Sequence, residues 1–141
     1  MSCELCAGVG GDLVWQDEHW RVIRVADAGF PAFYRVVHQH HVAEFTDLDA
    51  AARRRCMALV AVVEQVLRDS LAPTKINLAS LGNQTPHLHW HVIARFDWDS
   101  HYPQPVWGAA QRGVQPAAAE RLELSLQQLD TRVAAALQAV N

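Results

Sequence analysis

The chain has 141 residues and a formal net charge of −3; half of its residues are hydrophobic and 19% are charged. This length suits one domain with a substantial core, and the composition is typical of an ordinary globular protein. The modest negative charge disfavours a protein that coats nucleic acid, and the longest apolar run, residues 56–63, is far shorter than a membrane span. No signal peptide is visible, so we expect a cytoplasmic protein without a nucleic-acid or membrane partner.

The first motif in the chain is a pair of cysteines, Cys3 and Cys6, separated by two residues. The chain has only three cysteines, so a disulfide framework is not expected, and Cys56 is interpreted as a buried apolar residue. Two such thiolates supply half of a tetrahedral zinc site, and imidazole is a suitable further donor. Residues 38–41 and residues 87–91 both offer histidines. A redox pair or two unremarkable thiols are the alternatives.

Residues 13–45 predict β structure. Apolar segments at residues 13–15, 20–25 and 33–37 are separated by turn-forming residues, and an antiparallel meander is the simplest arrangement. Asp27 follows the second segment, at a position where an aspartate near glycine is also typical of a simple turn.

A long helix is predicted over residues 46–70, because Thr46 can cap the first turn and Pro73 prevents continuation. One face of this helix is apolar and indicates core packing. That face carries Cys56, Leu59, Val63, Val66 and Leu67. Residues 75–79 then predict a strand that leads into a polar loop at Gly82, whose backbone N–H groups could wrap a phosphate.

Residues 87–96 predict the last strand and contain His87, His89 and His91 at alternate positions. Alternate side chains of a strand share a face, so the three imidazoles project together while the intervening apolar residues face the core. Neighbouring histidines then lie about 7 Å apart at Cα and the outer pair about 13 Å, so one ion cannot bind all three. The spacing therefore predicts that one histidine serves a metal while another is free for chemistry. An exposed strand face that carries imidazoles by chance is the alternative.

The run from His87 to Ile93 resembles the histidine-triad signature, His-φ-His-φ-His-φ-φ with φ apolar, of nucleotide-binding hydrolases and transferases. Upstream, Asn77, Gly82 and Gln84 resemble the loop that enters the triad strand in this family. The resemblance extends over about residues 3 to 107. It implies a histidine-triad (HIT) domain over residues 1–107 and, within the same domain, a C-terminal extension over residues 108–141.

The resemblance implies a hydrolase in which His89 attacks the α-phosphorus of a nucleotide and forms a covalent nucleotidyl-histidine. His91 would bond the phosphate oxygens, and its presence favours hydrolysis, because the transferase branch has glutamine there. Gln84 departs from the family pattern. It stands where a Ser or Thr usually assists the leaving group, and an amide cannot relay a proton. By the same resemblance, Asn77 and Gln84 would also hold the phosphate, and Asp27 would accept a hydrogen bond from a ribose hydroxyl.

Nucleoside phosphoramidates or dinucleoside polyphosphates are the substrates that the resemblance implies, with purine preferred. The apolar side chains around Val22 and Ile23 are candidates to sandwich the base. A non-enzymatic nucleotide-binding module and a nucleotidyl transferase are the alternative functions.

Zinc-bearing members of the family bind the ion through an N-terminal Cys-x-x-Cys, a histidine just before the long helix and the first triad histidine. In this sequence these residues are Cys3, Cys6, His41 and His87. The resemblance thus implies a structural zinc and no organic cofactor. His38 and His40 are alternatives to His41, because the sequence alone does not choose among three histidines within four positions.

An irregular segment that contains Tyr102 and Trp107 follows the triad, and an amphipathic helix closes the chain. The stripe of this helix consists of Leu122, Leu126, Leu129, Val133 and Leu137, and it must be buried on this subunit or on a partner. In the family, the segment after the triad often reaches the second subunit's active site. Tyr102 and Trp107 are candidates for that contact, and a homodimer is implied. The predicted fold is α+β, an antiparallel sheet of about five strands with one long packed helix and the C-terminal helix.

Overall fold

The computed structural model describes residues 3–140, and within them the chain forms five strands and three α-helices. In chain order these are α1 (Glu4–Ala7), β1 (Asp12–Gln16), β2 (Trp20–Arg24), β3 (Phe33–His38), α2 (Ala50–Leu71), β4 (Lys75–Ala79), β5 (His89–Arg95) and α3 (Leu126–Gln138). The predicted α+β fold, with a five-stranded antiparallel sheet, one long packed helix and a C-terminal helix, is confirmed. None of the helices within the described residues is long and apolar enough to cross a membrane.

The five strands form one sheet in the order β1-β2-β3-β5-β4, and every neighbouring pair is antiparallel. Strand β5 therefore lies between β3 and β4. In the β3–β5 register, His89 is opposite Val37 and His91 is opposite Arg35. The second and third triad histidines thus project from an inner strand of the sheet.

The two faces of the sheet have different partners. One face packs against α2 and α3, and its core includes Val36 and Val92. Leu129, Val133 and Leu137 of α3 are fully buried, so this chain itself covers their part of the apolar stripe of the last helix. On the opposite face, Leu5 of α1 packs against Ile23 and Val37. Because side chains alternate along β5, His89 and His91 lie on this second face.

Helix α2 begins later than the sequence predicted. Asp49, and not Thr46, is its N-cap, because the Asp49 side chain accepts a 2.8 Å hydrogen bond from the Ala52 amide. Thr46 instead lies in a short 3₁₀ turn, Phe45–Asp47. The helix ends where Ala72 adopts a left-handed conformation (φ 45°) directly before Pro73.

A buried ion pair fixes the chain as it leaves β5. Arg95 donates hydrogen bonds of 2.8 and 3.1 Å to the carboxylate of Asp99, and both residues are only 2% exposed. The same guanidinium donates to the side-chain oxygen of Asn77 (2.8 Å) and to the carbonyl of Gln104 (2.7 Å). This network holds the segment that leads to Trp107 against the end of the sheet.

Candidate active site and metal centre

Four side chains converge beside the N-terminus of β5. They are Cys3, Cys6, His41 and His87, and their ligand atoms all lie within 4.8 Å of one another. Each Sγ lies 3.4 Å from a histidine Nδ1, and the Nδ1 atoms of His41 and His87 are 3.3 Å apart. The α1 turn with its N-cap, the loop after β3 and the segment that leads into β5 supply these donors. Together the four side chains could hold one metal ion.

The tautomer of His87 suits it to metal binding. Its ring is buried, and Nε2 lies 2.6 Å from the carbonyl oxygen of His38. A carbonyl oxygen only accepts, so Nε2–H is the donor, and the lone pair of the neutral ring is on Nδ1, the atom that faces the cluster. Metal-bound histidines commonly donate their other ring N–H to a carbonyl in this way.

Of His38, His40 and His41, the structure brings His41 to the cluster. The Nδ1–H of His38 donates to the backbone carbonyl of His40 (2.9 Å), and the His38 ring packs edge-on against Trp20. The ring of His40 lies beside those of His19 and His38. Among the described residues, neither His38 nor His40 belongs to the cluster of donors.

The N-terminal turn that carries the cysteines is held in place by Arg21 of β2. Its guanidinium donates to the carbonyl oxygens of Leu5 (2.6 Å), Val9 (3.0 Å) and Gly8 (3.3 Å). It also donates to the side chain of Gln39 (2.8 Å). Three backbone acceptors of one short segment therefore share one buried arginine, which fixes the cysteine pair next to the sheet. The sequence analysis did not identify this residue.

Directly beside the metal cluster is a cavity of about 380 Å³. Its walls come from β3, β5, the loop of residues 81–85, the N-terminal turn and Trp107. The lining residues are Glu4, Arg35, Leu81, Gly82, Asn83, Gln84, Thr85, His89, His91 and Trp107. The volume is within the usual range of small-ligand sites. His87 therefore belongs to the metal cluster, whereas His89 and His91 line the cavity, which is the division that the alternate spacing predicted.

A backbone hydrogen bond sets the tautomer of His89. Its Nδ1–H donates to the carbonyl oxygen of His87 at 2.6 Å, so the lone pair of the neutral ring is on Nε2. Burial lowers the pKa of His89 below its usual value, and the nearby charge of Arg35 acts in the same direction. At neutral pH the ring is consequently uncharged and has a nucleophilic nitrogen.

His91 is also held neutral. Burial lowers its pKa to about 3, and repulsion by Arg35 and His89 contributes to the shift. Its Nδ1 is buried and has no hydrogen-bond partner within residues 3–140. The ring of Trp107 lies edge-on to it, with the ring centres 5.2 Å apart. The sequence analysis named Trp107 as a candidate for contact with a second subunit. In the structure its ring lies against His91 of its own chain.

The loop before β5 depends on a glycine. Gly82 has φ +82°, a conformation that side-chain-bearing residues rarely adopt, and it turns the chain so that Gln84 and Thr85 line the cavity. The Thr85 hydroxyl donates a 3.0 Å hydrogen bond to the carboxylate of Glu4. Glu4 lies between the two cysteines, so the loop is connected to the turn that forms part of the metal cluster.

The structure places two predicted nucleotide-binding residues away from the cavity wall. The side-chain oxygen of Asn77 accepts a hydrogen bond from Arg95, and the carboxylate of Asp27 accepts one from the Gly29 amide (2.9 Å). Neither residue lines the cavity. Val22 and Ile23 have no exposed surface. The prediction that they flank the base is therefore wrong, because both are packed inside this chain.

The histidines, the glycine loop and the fold identify the family. The sequence profile of the HIT domain family matches residues 9–98. This chain belongs to the HIT family. Family membership indicates nucleotide hydrolase or transferase chemistry, and the matched residues include His87, His89 and His91.

Solved HIT structures agree with this assignment. A histidine triad protein from Bradyrhizobium japonicum is 28% identical over 86% of this chain and 88% of its own, with a TM-score of 0.69. One from Marinobacter aquaeolei VT8 is 22% identical over 100% and 98% of the two chains, with a TM-score of 0.75. A Zn-bound histidine triad family protein from Mycobacterium smegmatis shares the fold at 18% identity, with coverage of 98% and 94% and a TM-score of 0.62. No curated protein matches this chain.

Proposed function

We propose that this HIT protein is a nucleotide hydrolase that acts at the α-phosphate through a covalent intermediate on His89. The observation that carries the proposal is the hydrogen bond from His89 Nδ1–H to the His87 carbonyl. It leaves Nε2 as the free nitrogen of a neutral, buried ring that lines a ligand-sized cavity. An imidazole in this state is a competent nucleophile and needs no separate base to activate it.

In the proposed reaction, His89 Nε2 attacks the α-phosphorus and forms a phosphorus–nitrogen bond. The bond from phosphorus to the leaving group breaks, and the leaving group takes a proton from solvent. Water then attacks the same phosphorus and gives up a proton to solvent, and the phosphorus–nitrogen bond breaks, which releases a nucleoside monophosphate and restores the neutral imidazole. His91 is positioned to contact the phosphate oxygens because its ring shares the cavity and contacts that of His89, with 4.9 Å between ring centres.

The proposed substrates are nucleoside phosphoramidates and dinucleoside polyphosphates. Gln84 lines the cavity but has no proton to transfer, since its amide donates hydrogen bonds without ionising. A substrate whose leaving group needs little protonation, such as the phosphate chain of a dinucleoside polyphosphate, is therefore favoured over one that departs as an amine. Asn77 and Asp27 contribute to nucleotide binding in this proposal only if the bound state brings them to the cavity.

The test is a panel of adenosine phosphoramidate and diadenosine polyphosphates, assayed with the parent and with His89→Ala. We expect turnover by the parent and loss of turnover in the variant, with the diadenosine compounds cleaved faster. Tight nucleotide binding without turnover by the parent would favour a non-enzymatic module, and transfer of the nucleotidyl group to an acceptor other than water would favour a transferase.

We propose that the ion in the four-residue cluster is zinc. Bond lengths of about 2.0–2.1 Å to nitrogen and 2.3 Å to sulfur place the donors of a tetrahedral zinc about 3.3–3.4 Å (N to N) and 3.5–3.6 Å (S to N) apart. The corresponding separations in the structure are 3.3 and 3.4 Å. Two thiolates and two imidazoles complete a four-coordinate site, so the proposed role of the ion is structural.

A homodimer is also proposed. Strand β4 is an edge of the sheet, and Leu78 on it is 45% exposed, as is common where a strand edge meets a partner. Light scattering at micromolar concentration should give twice the mass of the chain, and the monomer mass alone would contradict the proposal. The cytoplasmic location stays a prediction.

A further inference from the structure

We propose that Arg35 is a substrate-contacting residue that binds the phosphate oxygens in the cavity over the face of β3 and β5. Nothing in the triad pattern points to this position, because Arg35 stands in the apolar run of β3. The inference rests on the proposed function, and it names the group that supplies positive charge to that same site.

The first observation is that Arg35 lacks a hydrogen-bond or ion-pair partner among the described residues, although its guanidinium lies over the Phe33 ring, 5.8 Å from the ring centre. Its Nε is buried and makes no hydrogen bond within residues 3–140. Arg35 is also absent from the ion pairs formed by the described residues, although Arg24, Arg55 and Arg95 each have a carboxylate partner. The residue as a whole is half-buried. A buried N–H without an acceptor costs free energy, and an anionic ligand at this place would supply the missing acceptor.

The second observation is that an unsatisfied neighbour lies beside it. Arg35 and His91 are direct register partners across β3 and β5, and His91 Nδ1 is, like Arg35 Nε, a buried nitrogen without a hydrogen-bond partner among the described residues. The remaining such atom in residues 3–140, Trp90 Nε1, does not line the cavity. Arg35 and His91 both line the cavity that contains His89. An oxyanion in the cavity, above this pair of side chains, would accept hydrogen bonds from the guanidinium and, in the appropriate tautomer, from His91. Two unsatisfied groups at one place therefore indicate one missing ligand.

Charge supports the same conclusion. Arg35 is the one lysine or arginine among the described residues that line the cavity, and His91 is neutral. Burial lowers the pKa of Arg35, and the charge of Glu4, which also lines the cavity, raises it. The ion pairs of the described residues do not, however, include a Glu4–Arg35 pair. Arg35 is therefore the side chain of this lining that can supply positive charge to a phosphate. Its planar fork suits two oxygens of one phosphate, a geometry that lysine does not reproduce.

The experiment measures binding in a His89→Ala background, so that turnover does not interfere. Calorimetric titration with AMP, inorganic pyrophosphate and adenosine is carried out on that protein and after addition of Arg35→Met or Arg35→Lys. We expect Arg35→Met to weaken AMP and pyrophosphate binding at least tenfold, and adenosine binding less than twofold. Arg35→Lys should fall between the two. Arg54→Met removes the same charge from an exposed position on α2 and should leave all three affinities unchanged.

A second readout separates a functional arginine from a structural one. Removal of a half-buried charge whose buried Nε has no acceptor should stabilise the folded chain, so Arg35→Met should raise the melting temperature by a few degrees. A fall in the melting temperature, an equal loss of AMP and adenosine binding, or unchanged AMP binding would each overturn the inference. Failure of the His89→Ala protein to bind either AMP or pyrophosphate would overturn it as well. Absence of turnover in the parent, with AMP binding that still depends on Arg35, would contradict only the proposed hydrolysis.

Discussion

One backbone carbonyl links the two halves of the site: the oxygen of His87 accepts the Nδ1–H of His89 at 2.6 Å. The side chain of His87 belongs to the metal cluster, and the side chain of His89 lines the cavity. A metal ion bound by His87 would therefore fix the position of the carbonyl that sets the tautomer of His89. The structural ion and the nucleophile are separate groups, but the geometry of one depends on the other.

The first prediction concerns metal content. Protein purified without chelator should contain about one zinc per chain. Cys3→Ser and Cys6→Ser should each lose most of that zinc and melt at a lower temperature, because four-coordinate binding contributes directly to folding. Cys56→Ala is the matched control for zinc content, because Cys56 of α2 is buried in the hydrophobic core and lies outside the cluster. Elemental analysis gives the stoichiometry, and a parent with no zinc and two freely titrating N-terminal thiols would contradict the metal site.

The second prediction decides among the histidines before α2. His41→Ala should lose zinc, whereas His40→Ala should retain it, because only His41 approaches Cys6 and His87. Elemental analysis of the two variants, prepared in parallel, is the measurement. Zinc lost from His40→Ala and kept by His41→Ala would show that the sequence alternative was correct and that the ligand set is different.

The third prediction concerns the buried ion pair at the end of β5. Arg95→Met leaves the Asp99 carboxylate buried without its cation and should lower the free energy of unfolding by about 3–5 kcal/mol. Hydrogen bonds from Arg95 and from backbone amides outweigh burial and hold the pKa of Asp99 below its usual value. Urea unfolding at one fixed protein concentration measures the change.

The control for that prediction is Arg55→Met. Arg55 pairs with Asp17 at 3.3 Å, but the side chains are 27% and 30% exposed. Solvent weakens such a pair, so the loss should be at most about 1 kcal/mol. Similar losses for the two variants would mean that the Arg95–Asp99 network does not hold the segment as described.

The fourth prediction is a pH dependence that arises from His91. Its pKa is lowered to about 3 in the folded chain, so between that value and about 6.5 the unfolded chain binds a proton that the folded chain does not. The stability contributed by His91 should therefore fall as the pH falls below about 6.5. Relative to His91→Gln, which does not titrate, the parent should lose roughly 1–2 kcal/mol between pH 7 and pH 5. Metal loss in acid affects both proteins and cancels in the comparison. A difference that stays constant with pH would contradict a buried neutral His91.

Local patterns were sufficient for much of the fold. Alternation along residues 87–96 predicted which side chains of β5 face the helices, and the Cys-x-x-Cys pair predicted half of a metal site. The choice of His41 and His87 as the other two donors came from the resemblance to the family. The alternation is informative because strand and helix periods are set by the local backbone and do not depend on distant segments. Helix α2 begins later than the sequence predicted because Thr46 lies in a local 3₁₀ turn that has its own capping box.

Features that depend on the packing of distant segments were not predictable in this way. Arg35 is one charged residue in an apolar strand, and sequence patterns do not show that its strand register places it opposite His91. Arg21 binds a segment more than ten positions away, and Asn77 is engaged by an arginine eighteen positions later. Each is a tertiary hydrogen bond, for which sequence periodicity gives no signal. The sequence signal that could have pointed to Arg35 is a single charged residue at the centre of an otherwise apolar strand.

The most direct test of the central claim is the intact mass of the protein during turnover. The parent is mixed with a diadenosine polyphosphate and quenched within the first turnovers in denaturant at alkaline pH, since phosphorus–nitrogen bonds are labile in acid. We predict a fraction that carries one adenylyl group, located by fragmentation on His89 and missing from His89→Ala. His40→Ala, which changes an exposed histidine outside the cavity, should form the adduct like the parent. Turnover by the parent with no adduct, or an adduct and full activity in His89→Ala, would contradict the nucleophilic role of His89.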